Sequence, residues 1–148
     1  MDDSTRIRLD RLAPLRGEWS LEAVFPGAPP SDLRGRVSFE WGPERALMVE
    51  RWEVPIAEAP DGVAILAPAE DGEELIQHYF DSRGVTRRYA TDLLDGVWTL
   101  RKLSSGFAQR FRGELSADGA TIAGAWEKAD EGSTAWEHDF DLIYRRLG

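Results

Sequence analysis

At 148 residues and a formal net charge of −9, the chain has the length of one domain and can bury about two-thirds of its unfolded surface. It has no cysteine, which excludes disulfides, thiolate metal sites and cysteine nucleophiles and fits a reducing, cytoplasmic compartment. The acidic balance and the scatter of sixteen arginines argue against a nucleic-acid partner, and no apolar run approaches the ~20 residues of a membrane span.

The N-terminal stretch MDDSTRIRLD is polar, so no signal peptide is expected. Ile7, Leu9, Leu12 and Leu15 gather on one side, which predicts a short helix over 6–13, stopped near Pro14. Beyond it the helical period disappears. Alternating runs predict strands at 17–25, 35–41, 45–54, 62–67, 73–81, 85–94, 97–103, 107–116, 120–129 and 134–145. The 62–67 run is the weakest, bracketed by Pro60 and Pro68, and FPGAPPSDL (25–33) reads as a loop.

Glycine-bearing turns separate the later runs: DSRG (81–84), DG (95–96), SSG (104–106), DG (118–119) and DEG (130–132). Each places Gly where a tight hairpin needs a positive φ. The fold class is therefore all-β: about ten antiparallel strands in an up-and-down meander, closed into a barrel that leaves no exposed edge, preceded by a short helix. Residues 1–148 read as one domain, with the barrel over 17–145.

The hairpins fix a register. A three-residue loop at 82–84 sets Tyr79 opposite Arg87, Gln77 opposite Tyr89 and His78 opposite Arg88. Later turns bring Leu93 to Trp98, Leu100 to Phe111, Lys102 to Gln109 and Phe111 to Trp126. A three-residue loop at 130–132 sets Trp126 by Trp136 and Gly124 by His138. One face then collects the aromatic residues with a few polar groups, and the other collects the charges, so the first is the interior. For strand 45–54 two facings remain open: Leu47, Val49 and Arg51 inward, or Met48, Glu50 and Trp52.

Two histidines on opposite faces cannot share an ion, and no His/Asp/Glu cluster has metal-ligand spacing, so no metal site is expected. No phosphate loop or Ser-His-Asp order is present. The interior set is the candidate ligand site: Tyr79, Arg87, Tyr89, Trp98, Gln109, Phe111, Trp126, Trp136 and His138. Apolar walls supply burial, while an inward Arg fork with phenol donors suits a carboxylate or phosphate at one end of an apolar molecule. The opposing reading is that Arg87 pairs internally with Glu50 or Glu53. Two other classes stay open: an enzyme using Tyr and Arg as acid–base groups, and a solid-cored interaction module filled by its six tryptophans.

GEW (17–19) after the helix and YRR (144–146) at the end of the last strand resemble the calycin barrels: lipocalins, fatty-acid-binding proteins and nitrobindins. The layout is also similar to bacterial lipocalin-like domains of unassigned function. The resemblance implies a barrel base closed by Trp19 with Arg145 or Arg146, a guanidinium lying over an indole. The 26–34 segment is too short for the two-helix lid of fatty-acid-binding proteins. The nitrobindin likeness implies haem as a cofactor, with His138 on the last strand as its axial ligand. The run here is GEWSLEA, which has the Gly-x-Trp of nitrobindins but not their later glycines.

Overall fold

The first fold-determining contact is a helix cap. Asp2 Oδ1 accepts the backbone N–H of Thr5 at 2.8 Å, satisfying one of the donors that a helix N-terminus leaves open. The helix α1 therefore begins at Asp3 and spans Asp3–Asp10, three residues ahead of the expected 6–13, and a 3-10 turn at Ala13–Leu15 follows. Leu9, Leu12 and Leu15, spaced by three, are fully buried. Ile7, expected with them, is exposed, because two helical steps from Leu9 carry it to the opposite side.

The computed structural model describes residues 1–29, 31–57 and 59–148; residue 30 of the loop expected at 25–33 lies outside them. Ten strands follow the helix: β1 Gly17–Val24, β2 Gly35–Trp41, β3 Met48–Glu53, β4 Gly62–Pro68, β5 Leu75–Asp81, β6 Thr86–Leu94, β7 Val97–Lys102, β8 Ala108–Leu115, β9 Thr121–Ala129 and β10 Glu137–Arg146. Each pairs antiparallel with its sequence neighbour, and β1 pairs with β10 to close the barrel. All-β meander closure is thus as expected from the turns.

The turn chemistry explains the register. At DSRG, the Asp81 carboxylate accepts N–H groups from Arg83 at 2.9 Å and Val85 at 3.3 Å, and Gly84 has φ +83°. At the next hairpin, Asp95 (φ 54°) and Gly96 (φ 76°) both adopt the left-handed conformation of a two-residue turn matched to strand twist. Tyr79 accordingly lies opposite Arg87 and Gln77 opposite Tyr89, Leu93 opposite Trp98, Leu100 opposite Phe111 and Phe111 opposite Trp126.

The last hairpin departs from expectation. Strand β10 starts at Glu137 rather than 134, and its register shifts between His138 and Phe140. Phe140, not Trp136, faces Trp126, and Leu142, not His138, faces Gly124. The extra residue of this bulge turns the strand's first residues over. His138 pairs with Glu127 on the outer wall.

One barrel end is sealed. Thr5 Oγ1 and Arg8 Nη1 both donate to the carbonyl of Gly72, at 3.3 and 2.9 Å, and Arg6 Nη1 donates to the carbonyl of Arg45 at 2.9 Å. These bonds hold α1 across the β2–β3 and β4–β5 turns. Beneath it Leu9, Leu12, Leu15, Trp19, Phe39 and Met48 pack with no exposed surface. Trp19 donates its indole N–H to the carbonyl of Leu15 at 2.8 Å, and the Arg146 guanidinium lies 4.1 Å above its ring. Arg146 also donates to the carbonyls of Pro14 and Arg16 at 2.6 Å each and of Gly119 at 3.3 Å. Of the two basic residues considered for closure, Arg146 fills the role. Arg145 points outward and pairs with Glu22 at 2.9 Å.

Replacing Arg146 with Ala removes charged hydrogen bonds and a cation–π contact and is expected to destabilise the fold by about 2–3 kcal/mol. Arg145→Ala, which breaks only a surface pair, leaves the denaturation midpoint nearly unchanged. Urea unfolding of both variants checks the contrast; equal effects would remove Arg146 from the closure.

Candidate functional site

A ten-stranded barrel is wider than the eight-stranded size that inward side chains just fill. The sealed end takes up only part of the interior. Above it lies a cavity of about 1140 Å³, lined at its mouth by Phe25, Ala28 and Leu33, by Pro55 and Ile56, and by Arg83. Tyr79, Arg87, Tyr89, Trp98, Gln109, Phe111 and Trp126 all line it. Trp136 and His138 do not. Trp136 sits on the outer wall, with the Arg110 guanidinium 3.9 Å from its ring. His138 is exposed, and its Nε2 lies 2.7 Å from Asp141 Oδ1. The inward expectation for both fails because the β10 bulge reverses their facing.

The floor is aromatic and tightly interlocked. Trp98 meets Phe39, Phe111 and Tyr144 edge-on at centroid distances of 5.8, 5.2 and 5.8 Å, within the favoured range for such pairs. Its indole N–H is satisfied by Thr91 Oγ1 at 3.1 Å. A side chain at Gly124 would collide with the Phe111 ring, so that glycine makes room for Phe111 rather than for a ligand of His138.

The wall above is aromatic with fixed polar groups. Trp52 stacks on Tyr79 at 5.2 Å, and Trp126 contacts Tyr89 at 5.5 Å. The Tyr89 hydroxyl donates to Gln109 Oε1 at 2.7 Å, and the Tyr79 hydroxyl donates to Asp81 Oδ2 at 2.7 Å. Burial pushes both phenol pKa values up, and the Asp81 bond raises that of Tyr79 further. Asp81 itself is held well below the usual carboxylate range, first by its bond from Arg83. These phenols are donors with engaged protons, not bases.

The mouth carries charges of both signs, Glu22 and Asp139 beside Arg83, Arg87 and Lys128. Arg87 and Lys102 both approach the ring of Phe107, at 5.3 and 4.1 Å. Burial depresses the Lys102 pKa first, and the neighbouring Arg87 charge lowers it further. Among the described residues Arg87 has no carboxylate partner, whereas Lys128, also at the rim, lies 3.6 Å from Asp139. The internal pairing of Arg87 with Glu50 or Glu53 does not form: Glu53 faces outward and is exposed.

The open question of β3 resolves with Met48, Glu50 and Trp52 inward. Glu50, opposite Phe39 and Ala64, was not among the expected site residues, and neither were Gln77, Trp52 and Phe140, although all four line the cavity. Glu50 Oε1 is buried without a hydrogen-bond partner. Burial raises its pKa to about 8, so it is a neutral acid at pH 7. The β3 alternation alone could not expose it, since both faces carry apolar residues.

Comparison with solved structures gives the same architecture. The crystal structure of Rv2717c from M. tuberculosis superposes with a TM-score of 0.63 over 95% of this chain and 98% of that one, at 13% identity. At that identity the likeness is one of fold. No protein-family model matches the chain, and no curated protein does.

A folded-state pKa above the ordinary value of 4.5 means that the stabilising neutral form of Glu50 is fully present below pH 4.5 and is lost as pH rises through about 8. Across that window the stability of the wild type should fall relative to Glu50→Gln by up to roughly 5 kcal/mol. Chemical denaturation of both proteins at several pH values measures the difference; a constant gap would show that Glu50 ionises normally.

Proposed function

We propose that the barrel binds an amphipathic small molecule with an acidic head, taking the apolar body among Trp52, Tyr79, Tyr89, Trp126 and Phe140 and the head at Arg87 on the rim. The observation that carries this reading is Arg87 itself: a guanidinium at the lip of a large aromatic cavity, with no carboxylate partner among the described residues. A guanidinium fork is suited to a carboxylate or phosphate. Enclosure by aromatic walls supplies the burial energy.

The helix-then-meander layout and the Trp19–Arg146 closure also support a place among calycin-type barrels. Haem ligation through His138 has no geometric support, because the imidazole lies on the outer wall and faces Asp141. The raised phenol pKa values favour binding over acid–base use of Tyr79 and Tyr89.

Isothermal titration with dodecanoate and hexadecanoate tests the reading. Saturable binding of one molecule per chain is expected, weakened by about tenfold or more in Arg87→Ala while the thermal midpoint is kept. Undiminished affinity in that variant, or no binding by the wild type, would overturn it.

A further inference from the structure

The cavity holds a second polar locus, well below its rim. Glu50 and Gln77 point inward from β3 and β5, strands separated only by β4. Ala64 and Leu66 lie opposite Glu50 and Gln77 respectively on that intervening strand. The two residues are 6% and 5% exposed, and the Oε1 atom of each is buried with no hydrogen-bond partner. Polar groups elsewhere in the wall and floor are paired, including Tyr89 with Gln109 and Trp98 with Thr91.

An unpaired buried polar atom costs about 1–3 kcal/mol, so two on β3 and β5, in residues that line one cavity, need a physical reason. Among the described residues no group is bonded to either oxygen, and neither residue braces a turn or a cap. Gln77 Oε1 accepts, and the neutral carboxyl of Glu50 can donate as well as accept, so the group that completes both must have a proton to give and a lone pair to offer. We infer that Glu50 and Gln77 form an inner subsite for an uncharged hydrogen-bond donor, a hydroxyl at the end of the ligand that enters first.

This assignment rests on the binding function proposed above and adds the chemistry of the ligand's far end: an acid at the mouth and a hydroxyl inside. An ammonium group would have to leave water for an apolar pocket whose carboxyl is neutral, and a carboxylate has no proton to give Gln77 Oε1. A hydroxyl matches the chemistry of both groups. It gives its proton to one oxygen and can take the proton that neutral Glu50 carries at pH 7.

The test compares decanoic, dodecanoic and hexadecanoic acids with their ω-hydroxy and ω-amino counterparts, by titration calorimetry on the intact protein. For at least one chain length the hydroxy acid should bind about tenfold more tightly than the plain acid. The preference should vanish or reverse in Glu50→Leu and in Gln77→Leu, while the plain acid binds at least as well. Equal or weaker binding of every hydroxy acid by the wild type overturns the inner subsite and leaves the binding function standing. Tightest binding of the amino acids overturns the neutral-donor assignment in favour of an ion pair. If no member of the series binds, the binding function itself fails, and the subsite with it. The wild-type comparison decides the matter even if a leucine variant does not fold.

Discussion

The guanidinium of Arg146 is the point on which the architecture converges. It lies over the Trp19 indole and accepts no substitute among its neighbours, because three backbone carbonyls, of Pro14, Arg16 and Gly119, draw on the same planar fork. Those partners belong to the segment after the helix and to the β8–β9 turn, while Arg146 itself ends β10, which pairs with β1. One side chain therefore ties the seam of the barrel to its plug. A sealed base has a direct consequence for the other end: the wide interior of ten strands can remain open above the plug without the barrel losing its core.

From base to mouth the interior changes character in steps. Aliphatic residues and Trp19 fill the bottom completely. An interlocked aromatic layer around Trp98 follows, with its single N–H satisfied. Above that, polar atoms enter the wall in two states. Those of Tyr79, Tyr89 and Gln109 are paired and rigid; those of Glu50 and Gln77 are not. Near the rim, Arg87 and Lys102 crowd one phenyl ring, and burial, then the Arg87 charge, lowers the Lys102 pKa. Paired groups hold the shape of the cavity; under the proposed binding function, the unpaired groups are where a ligand would gain most.

Much of the fold was legible because local chemistry decides it. Asp81 and Gly84 can make only one tight turn, and Asp95-Gly96 only another; with period-two alternation, these fix the facing of Tyr79, Arg87, Tyr89, Trp98, Phe111 and Trp126. The last hairpin was not legible in the same way. Gly132 does take a left-handed turn conformation, but the chain runs on to Glu137 before pairing resumes. Trp136, His138, Phe140, Leu142 and Tyr144 alternate in phase, so only the bulge before Phe140 distinguishes the outer from the inner ones. Glu50 escaped for a different reason. Its inward facing breaks the rule that buried carboxylates find partners, and that breach is what makes it informative. The helix start was missed because Asp2, three residues before Thr5, reads as part of a polar tail until its cap is seen.

The central claim is that the space above the plug is an open, apolar receptacle with Arg87 at its rim rather than a solid core. A titration with anilinonaphthalene sulfonate, read through energy transfer from the cavity tryptophans Trp52 and Trp126, tests it most directly. An open receptacle takes up one dye per chain with saturable transfer, and dodecanoate displaces it. Unsaturable fluorescence, or several weak sites that dodecanoate leaves untouched, would contradict the claim and make the aromatic wall part of a filled interior.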